Sequence, residues 1–141
     1  MANVIAGAIL RRVSSYEIQF GAEPVVVVIL SGNVNYATVA ALFAELEELA
    51  VRDPDMAALV DETNTRPGLV GVGDIRRMMA QWSRMHALKR RKLAVVAPTN
   101  VMFGINRMAR GLAGREVEGH IEVFRDRDAA MAWLLEAAET D

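Results

Sequence analysis

The stretch Val25–Arg52, VVVVILSGNVNYATVAALFAELEELAVR, decides the fold. Its first part, Val25–Leu30, has no polar alternation. Six aliphatic residues in a row predict a strand covered on both faces, hence a central one. Ser31-Gly32-Asn33 is expected to end it. From Tyr36 the period changes. Val39, Leu42, Phe43, Leu46 and Leu49 recur at intervals of three or four, the stripe of a helix buried on one side. Asn35 stands where an N-cap is needed, and Pro54 lies just past the end at Arg52.

The same pairing recurs along the chain. Ala57–Val60, Leu93–Ala97 and Ile121–Phe124 are further apolar runs, each followed by a helical pattern. Strands alternating with helices predict an α/β domain with a parallel sheet. Asp61–Pro67 reads as a loop, and Asp74 as the N-cap of a second helix. That helix is expected to carry Ile75, Met78, Met79, Trp82 and Met85 inward. A third helix is expected over Met102–Leu112, interrupted or strained near Gly104. A fourth is expected over Asp126–Ala138, with Ala130, Met131, Leu134 and Leu135 on its inner side. At the other end, Ile9–Ser15 alternates loosely and Tyr16–Phe20 clearly. With the turn residues Gly21–Pro24 they predict an antiparallel N-terminal edge. The sum is one domain over residues 1–141: a mostly parallel sheet of about five strands with about four helices.

Composition narrows the function. At 52% hydrophobic and 24% charged, the chain of 141 residues can bury a core. It has no cysteine, so disulfides and thiolate chemistry are excluded, and a cytoplasmic location is expected. Met1–Leu10 is apolar but has no basic residue ahead of it and is too short to span a bilayer. It reads as a leader and first strand, not as a signal peptide or membrane segment. A formal charge of −2 gives no pull toward nucleic acid. Acidic residues cluster between Glu45 and Glu62, and basic ones between Arg76 and Lys92. Two solvated helix faces of opposite sign account for this. A self-complementary docking surface, and with it a homodimer, is the functional reading.

Chemistry-bearing residues are sparse. His86 and His120 have no HxxxH spacing and no cysteine partner, so neither a metal nor a cofactor is expected. Ser31, Asp61 and a histidine could assemble a triad only without any nucleophile-elbow pattern around the serine. Gly68–Gly73 precedes a helix, but neither GxGxxG nor GK[ST] spacing is present. At most it supplies a modest anion site at the helix N-terminus. Met78, Trp82, Phe103 and Met108 could face one another between the second and third helices. They close the core or line an apolar pocket. Asn33, Thr63, Asn64, Thr65, Thr99 and Asn100 follow successive strands, so sequential strand order would gather them on one rim as a partner or anion surface.

Lys92–Asn100, KLAVVAPTN, with the helix Met102–Leu112 after it, and Ile121–Leu134, IEVFRDRDAAMAWL, carry a resemblance. An apolar strand ending in Phe124, then Arg-Asp, then an alanine-rich helix with Trp133-Leu134 is similar to the close of the SpoIIAA-like branch of the STAS fold. That branch comprises uncharacterised bacterial STAS/Sec14-like proteins. The resemblance implies strands in sequential order behind an antiparallel edge. It also implies kinship with anti-sigma factor antagonists and with carriers of lipophilic ligands. Antagonists proper have an Asp-Ser pair after the strand that follows the first helix, and that serine is phosphorylated. Here the place reads Val60-Asp61-Glu62-Thr63-Asn64-Thr65, so the switch does not carry over unless Thr63 or Thr65 substitutes.

The expected function is therefore a non-enzymatic regulatory or protein-interaction module. The alternative is a binding protein for a small lipophilic ligand.

Overall fold

The computed structural model describes residues 9–13, 16–20, 24–66, 71–114 and 120–136, the first stretch by its backbone. The quoted stretch becomes β3 (Val25–Asn33) and α1 (Tyr36–Arg52). Asn35 caps α1 as its sequence position suggests, its Oδ1 accepting from the Thr38 amide at 2.9 Å. Before them come β1 (Ile9–Val13) and β2 (Tyr16–Phe20). After them come β4 (Ala57–Arg66), α2 (Val72–Ser83), a 3₁₀ turn (Leu88–Arg90), β5 (Leu93–Val96), α3 (Asn100–Ala113), β6 (Ile121–Phe124) and α4 (Arg127–Glu136).

The six strands lie in chain order, β1-β2-β3-β4-β5-β6. β1 and β2 form an antiparallel edge against β3, and β3 to β6 run parallel. The sheet of about five strands read from the sequence is present, with β1 making a sixth. Each parallel step moves one strand in the same direction. Right-handed crossovers then place α1, α2 and α3 on one face. Among the described elements α4 covers the other face, seated on β4, β5 and β6.

The core divides accordingly. Val26, Val28 and Leu30 of β3 and Ala58 and Val60 of β4 face α1 and α2, where Leu42, Phe43, Leu46, Met78 and Trp82 meet them. Val25, Leu59, Ala94 and Val96 face Ala130 and Leu134 of α4. The uninterrupted apolar run of β3 is thus explained, since both of its faces are covered.

Several boundaries differ from the sequence expectation. Ser31-Gly32-Asn33 does not end β3, and Asp61–Arg66 is strand, not loop. The two segments pair as a ribbon that continues past the end of β5, with Ser31 opposite Asn64 and Asn33 opposite Arg66. The register shifts between Ile29–Asp61 and Ser31–Asn64, so Glu62 and Thr63 together oppose Leu30 in a bulge. α2 begins at Val72, two residues before Asp74, which sits in its first turn. α3 runs unbroken through Gly104. A Cβ built on Gly104 would meet nothing within 4 Å, so the residue is neither a kink nor a close approach. Leu135 points outward and is 43% exposed, while Ala130 and Leu134 turn in. Residues 1–8, the first half of the Gly68–Gly73 stretch, the turn at 21–23 and residues 137–138 lie outside the described residues.

Candidate functional site

The period of two along β4 builds the site. Ala58, Val60 and Glu62 share the face under the crossover helices, while Leu59 and Asp61 share the α4 face. Glu62 therefore enters the layer beneath α3, where it is only 7% exposed. Asn106 on α3 reaches it, Nδ2 donating to Glu62 Oε1 at 2.7 Å and to the Met102 carbonyl at 2.8 Å. Burial raises the Glu62 carboxyl from 4.5 to about 7, the Asn106 hydrogen bond partly offsets this, and the neighbouring Asp61 charge adds to it.

A cavity of about 110 Å³ lies beside this pair. Its floor is Leu30, Val60, Val95 and Val123 of the sheet. Its walls are Leu42 and Phe43 of α1, Ile75, Met78 and Met79 of α2, and Met102, Ile105 and Ala109 of α3. The polar side chains in its lining are Glu62, Asn106 and Arg110. Arg110 is anchored at the β6 edge, with Nε on the Ile121 carbonyl at 2.9 Å and Nη2 on Glu122 at 2.9 Å. Such a volume is on the order of the ~150 Å³ apolar cavities that admit a benzene ring. The arrangement can enclose a small apolar body and offer it one carboxyl and one amide.

The four residues expected to line a pocket do not converge. Met78 is in the lining. Trp82 is buried below it, edge-on to Phe43 at a ring separation of 5.8 Å, and so supports the wall. Phe103 packs toward the strand ends beneath the Arg125 guanidinium, 4.2 Å from its ring centroid. Met108 is 42% exposed on the outer side of α3. The inward stripe of α3 is instead Met102, Ile105, Asn106 and Ala109. It has helical spacing, but the polar Asn106 obscures it. Glu62 was equally findable from the alternation Ala58-Val60-Glu62, had the strand been extended through it.

The rim residues do share the C-terminal end of the parallel strands, as sequential order requires. Asp61 Oδ1 accepts from the Thr63 amide at 2.9 Å and from its hydroxyl at 2.5 Å, and Oδ2 lies 3.6 Å from Arg127 Nη1. Asn100 accepts from Arg125 at 2.6 Å, and Thr99 caps α3 through the Met102 amide. Asn33 and Asn64 are exposed on the β3–β4 ribbon. Thr65 does not face outward. It is buried, its hydroxyl donating to the Glu62 carbonyl at 2.7 Å, which removes it as an exposed phosphate acceptor.

The start of α2, read from the sequence as a modest anion site, carries an acidic side chain of its own. Asp74 supplies the helix its own anion, accepting from the Gly71 amide at 3.4 Å and pairing with Arg77 at 3.0 Å. The oppositely charged stretches meet within the chain. Glu47 of α1 accepts from the Ala87 and Leu88 amides at 3.2 and 2.7 Å, and Arg91 donates to the Ala50 carbonyl at 3.0 Å. His86 and His120 precede β5 and β6 at the N-terminal end of the parallel strands, whereas Ser31 and Asp61 stand at the opposite end. Among the described residues no group of three or more His, Cys, Asp or Glu could hold a metal ion.

Among solved structures, the following is similar over almost the whole length. It is an uncharacterised protein of the DUF3478 family from Shewanella loihica PV-4, described as having a SpoIIAA-like fold. The match has a TM-score of 0.54 at 19% identity, covering 95% of this chain and 98% of that one. The fold is SpoIIAA-like. No family model matches the sequence, and no curated protein matches it significantly. The SpoIIAA-like ending is now explained by contacts. Phe124 packs on Trp133 at 5.7 Å, Asp126 accepts from the Ala129 amide at 2.8 Å, and Arg127 faces Asp61. Among the described residues, no helix is long and apolar enough to cross a membrane.

Proposed function

We propose that this SpoIIAA-like domain is a non-enzymatic binding module whose ligand is a small apolar molecule, held between the sheet and α1–α3. The cavity carries this reading. Its walls are aliphatic and methionine side chains, and methionine adapts to varied apolar shapes. A few polar groups converge at one side, the usual composition of a ligand pocket. The lining comes from four strands and three helices, so a bound body would tie the crossover layer to the sheet.

Methionine-methyl-labelled protein titrated with toluene tests this. Met78, Met79 and Met102 should shift together and saturably, while Met56 and Met108 stay in place. Shifts confined to Met108, or none at all, would reject it.

The second reading is a regulatory interaction module of STAS type, working through the strand-end rim. The linked set Asp61, Thr63 and Arg127 supports it, because it gathers β4 and α4 at one exposed end. Mapping amide shifts against candidate partner proteins tests it. Changes at Asn33, Thr63, Asn64 and Asn100 favour it, and changes restricted to the His86 and His120 end reject it.

A further inference from the structure

From the polar side of the cavity we infer the head group of the ligand: a neutral hydroxyl on a small apolar body, seated between Glu62 and Asn106. This deepens the proposed function and rests on it.

Three facts select the class. First, Glu62 is more than nine-tenths buried and lines the cavity, yet only one of its oxygens has a partner among the described residues, Oε1 with Asn106. Its other oxygen is left to a ligand or to water. Second, both hydrogens of Asn106 Nδ2 are already used, on Glu62 and on the Met102 carbonyl. The amide therefore has only its oxygen to offer, an acceptor. Third, Arg110 lies one helical turn from Asn106 on the same wall, but its guanidinium is committed to the Ile121 carbonyl and to Glu122 at the β6 edge.

These exclude the charged alternatives. A carboxylate head would face the Glu62 carboxyl and an amide with no hydrogen to spare. Its own desolvation would add to the like charge. An ammonium head would meet two acceptors, but it would have to shed its hydration into a cavity whose remaining lining is almost wholly apolar. A hydroxyl carries no charge to desolvate. It can donate to an ionised Glu62, or accept from a protonated one while donating to Asn106 Oδ1. It is thus matched to either state of the acid. The remaining charge near Glu62 is Asp61, which turns to the opposite face and Arg127.

The test is a series with one ring and four heads: toluene, benzyl alcohol, benzylamine and benzoate, with affinities measured at pH 8. Benzyl alcohol should bind about fivefold or more tighter than toluene, the scale of one net hydrogen bond. Benzylamine and benzoate should bind at least tenfold more weakly than benzyl alcohol. In Glu62→Leu the alcohol should lose its advantage over toluene. In Glu62→Gln, which keeps a hydrogen-bonding head of the same shape, it should be kept. Tightest binding by benzylamine or benzoate would overturn the inference, as would an alcohol preference that survives Glu62→Leu. If toluene binds with the expected methionine shifts but the alcohol is no better, this inference fails and the binding module stands. If toluene also fails to bind, the binding module itself falls.

Discussion

Asp61 and Glu62 are consecutive in β4 and serve opposite faces of one sheet. Asp61 lies 3.6 Å from Arg127 of α4, and Glu62 is 2.7 Å from Asn106 of α3. Strand geometry alone imposes this separation, because successive side chains alternate sides. This single-residue step places one carboxylate at the strand-end rim facing Arg127 and the other in an apolar cavity. Their chemistry diverges as a consequence of position, not of residue type.

Stability should fall as pH rises through neutrality. Glu62 holds its proton up to about pH 7 in the folded protein, against 4.5 as its ordinary value. Between these values the folded state binds more protons than the unfolded one, so the slope of stability with pH is negative. The contribution is complete below pH 4.5 and lost as pH passes 7. At about 1.4 kcal/mol per tenfold change in proton affinity, it amounts to about 3 kcal/mol. Urea unfolding at pH 5 and pH 8.5 should show this component in the native sequence and lack it in Glu62→Gln.

The helices around the cavity should be unequal in their tolerance. Trp82 is 2% exposed and holds Phe43 edge-on. Trp82→Ala should cost about 3–5 kcal/mol in urea unfolding. Met108→Ala, on the exposed side of α3, should change stability by no more than about 0.5 kcal/mol. Equal costs at the two positions would place Met108 in the core and contradict the orientation of α3.

Glycine 104 should be replaceable with gain. It is a helix-interior residue with open space where a side chain would go. Gly104→Ala should stabilise by up to about 1 kcal/mol, visible as a higher Tm. Gly32, at φ +80° in the β3 ribbon, should behave in the opposite way. Gly32→Ala should cost about 1–2 kcal/mol, since an L side chain strains this conformation.

The fold was legible wherever one local signal dominated. α1 has its cap, its stripe and its stop in the sequence, and Tyr36–Arg52 is found as read. β6 is likewise found as Ile121–Phe124. The second half of β4 was not legible. Asp61-Glu62-Thr63-Asn64-Thr65 has the composition of a loop, and residues such as Asp and Asn are poor strand formers. It is strand because Ser31–Asn33 pairs with it across a bulge, a long-range match that no local window contains. This loop-like composition hides Glu62, and with it the polar side of the cavity. On α3 the methionine and aromatic residues drew attention to Phe103 and Met108. The inward stripe runs instead through Asn106, whose polarity makes sense only once Glu62 is opposite it.

The most direct test of the account is the position of a heavy-atom ligand in crystals of the protein soaked with bromobenzene. An anomalous bromine peak is expected between Met78, Met102 and Val60, within van der Waals reach of Glu62. Bromine found only on the surface, for instance against Met108 and Leu112, or no bound bromine at all, would contradict it.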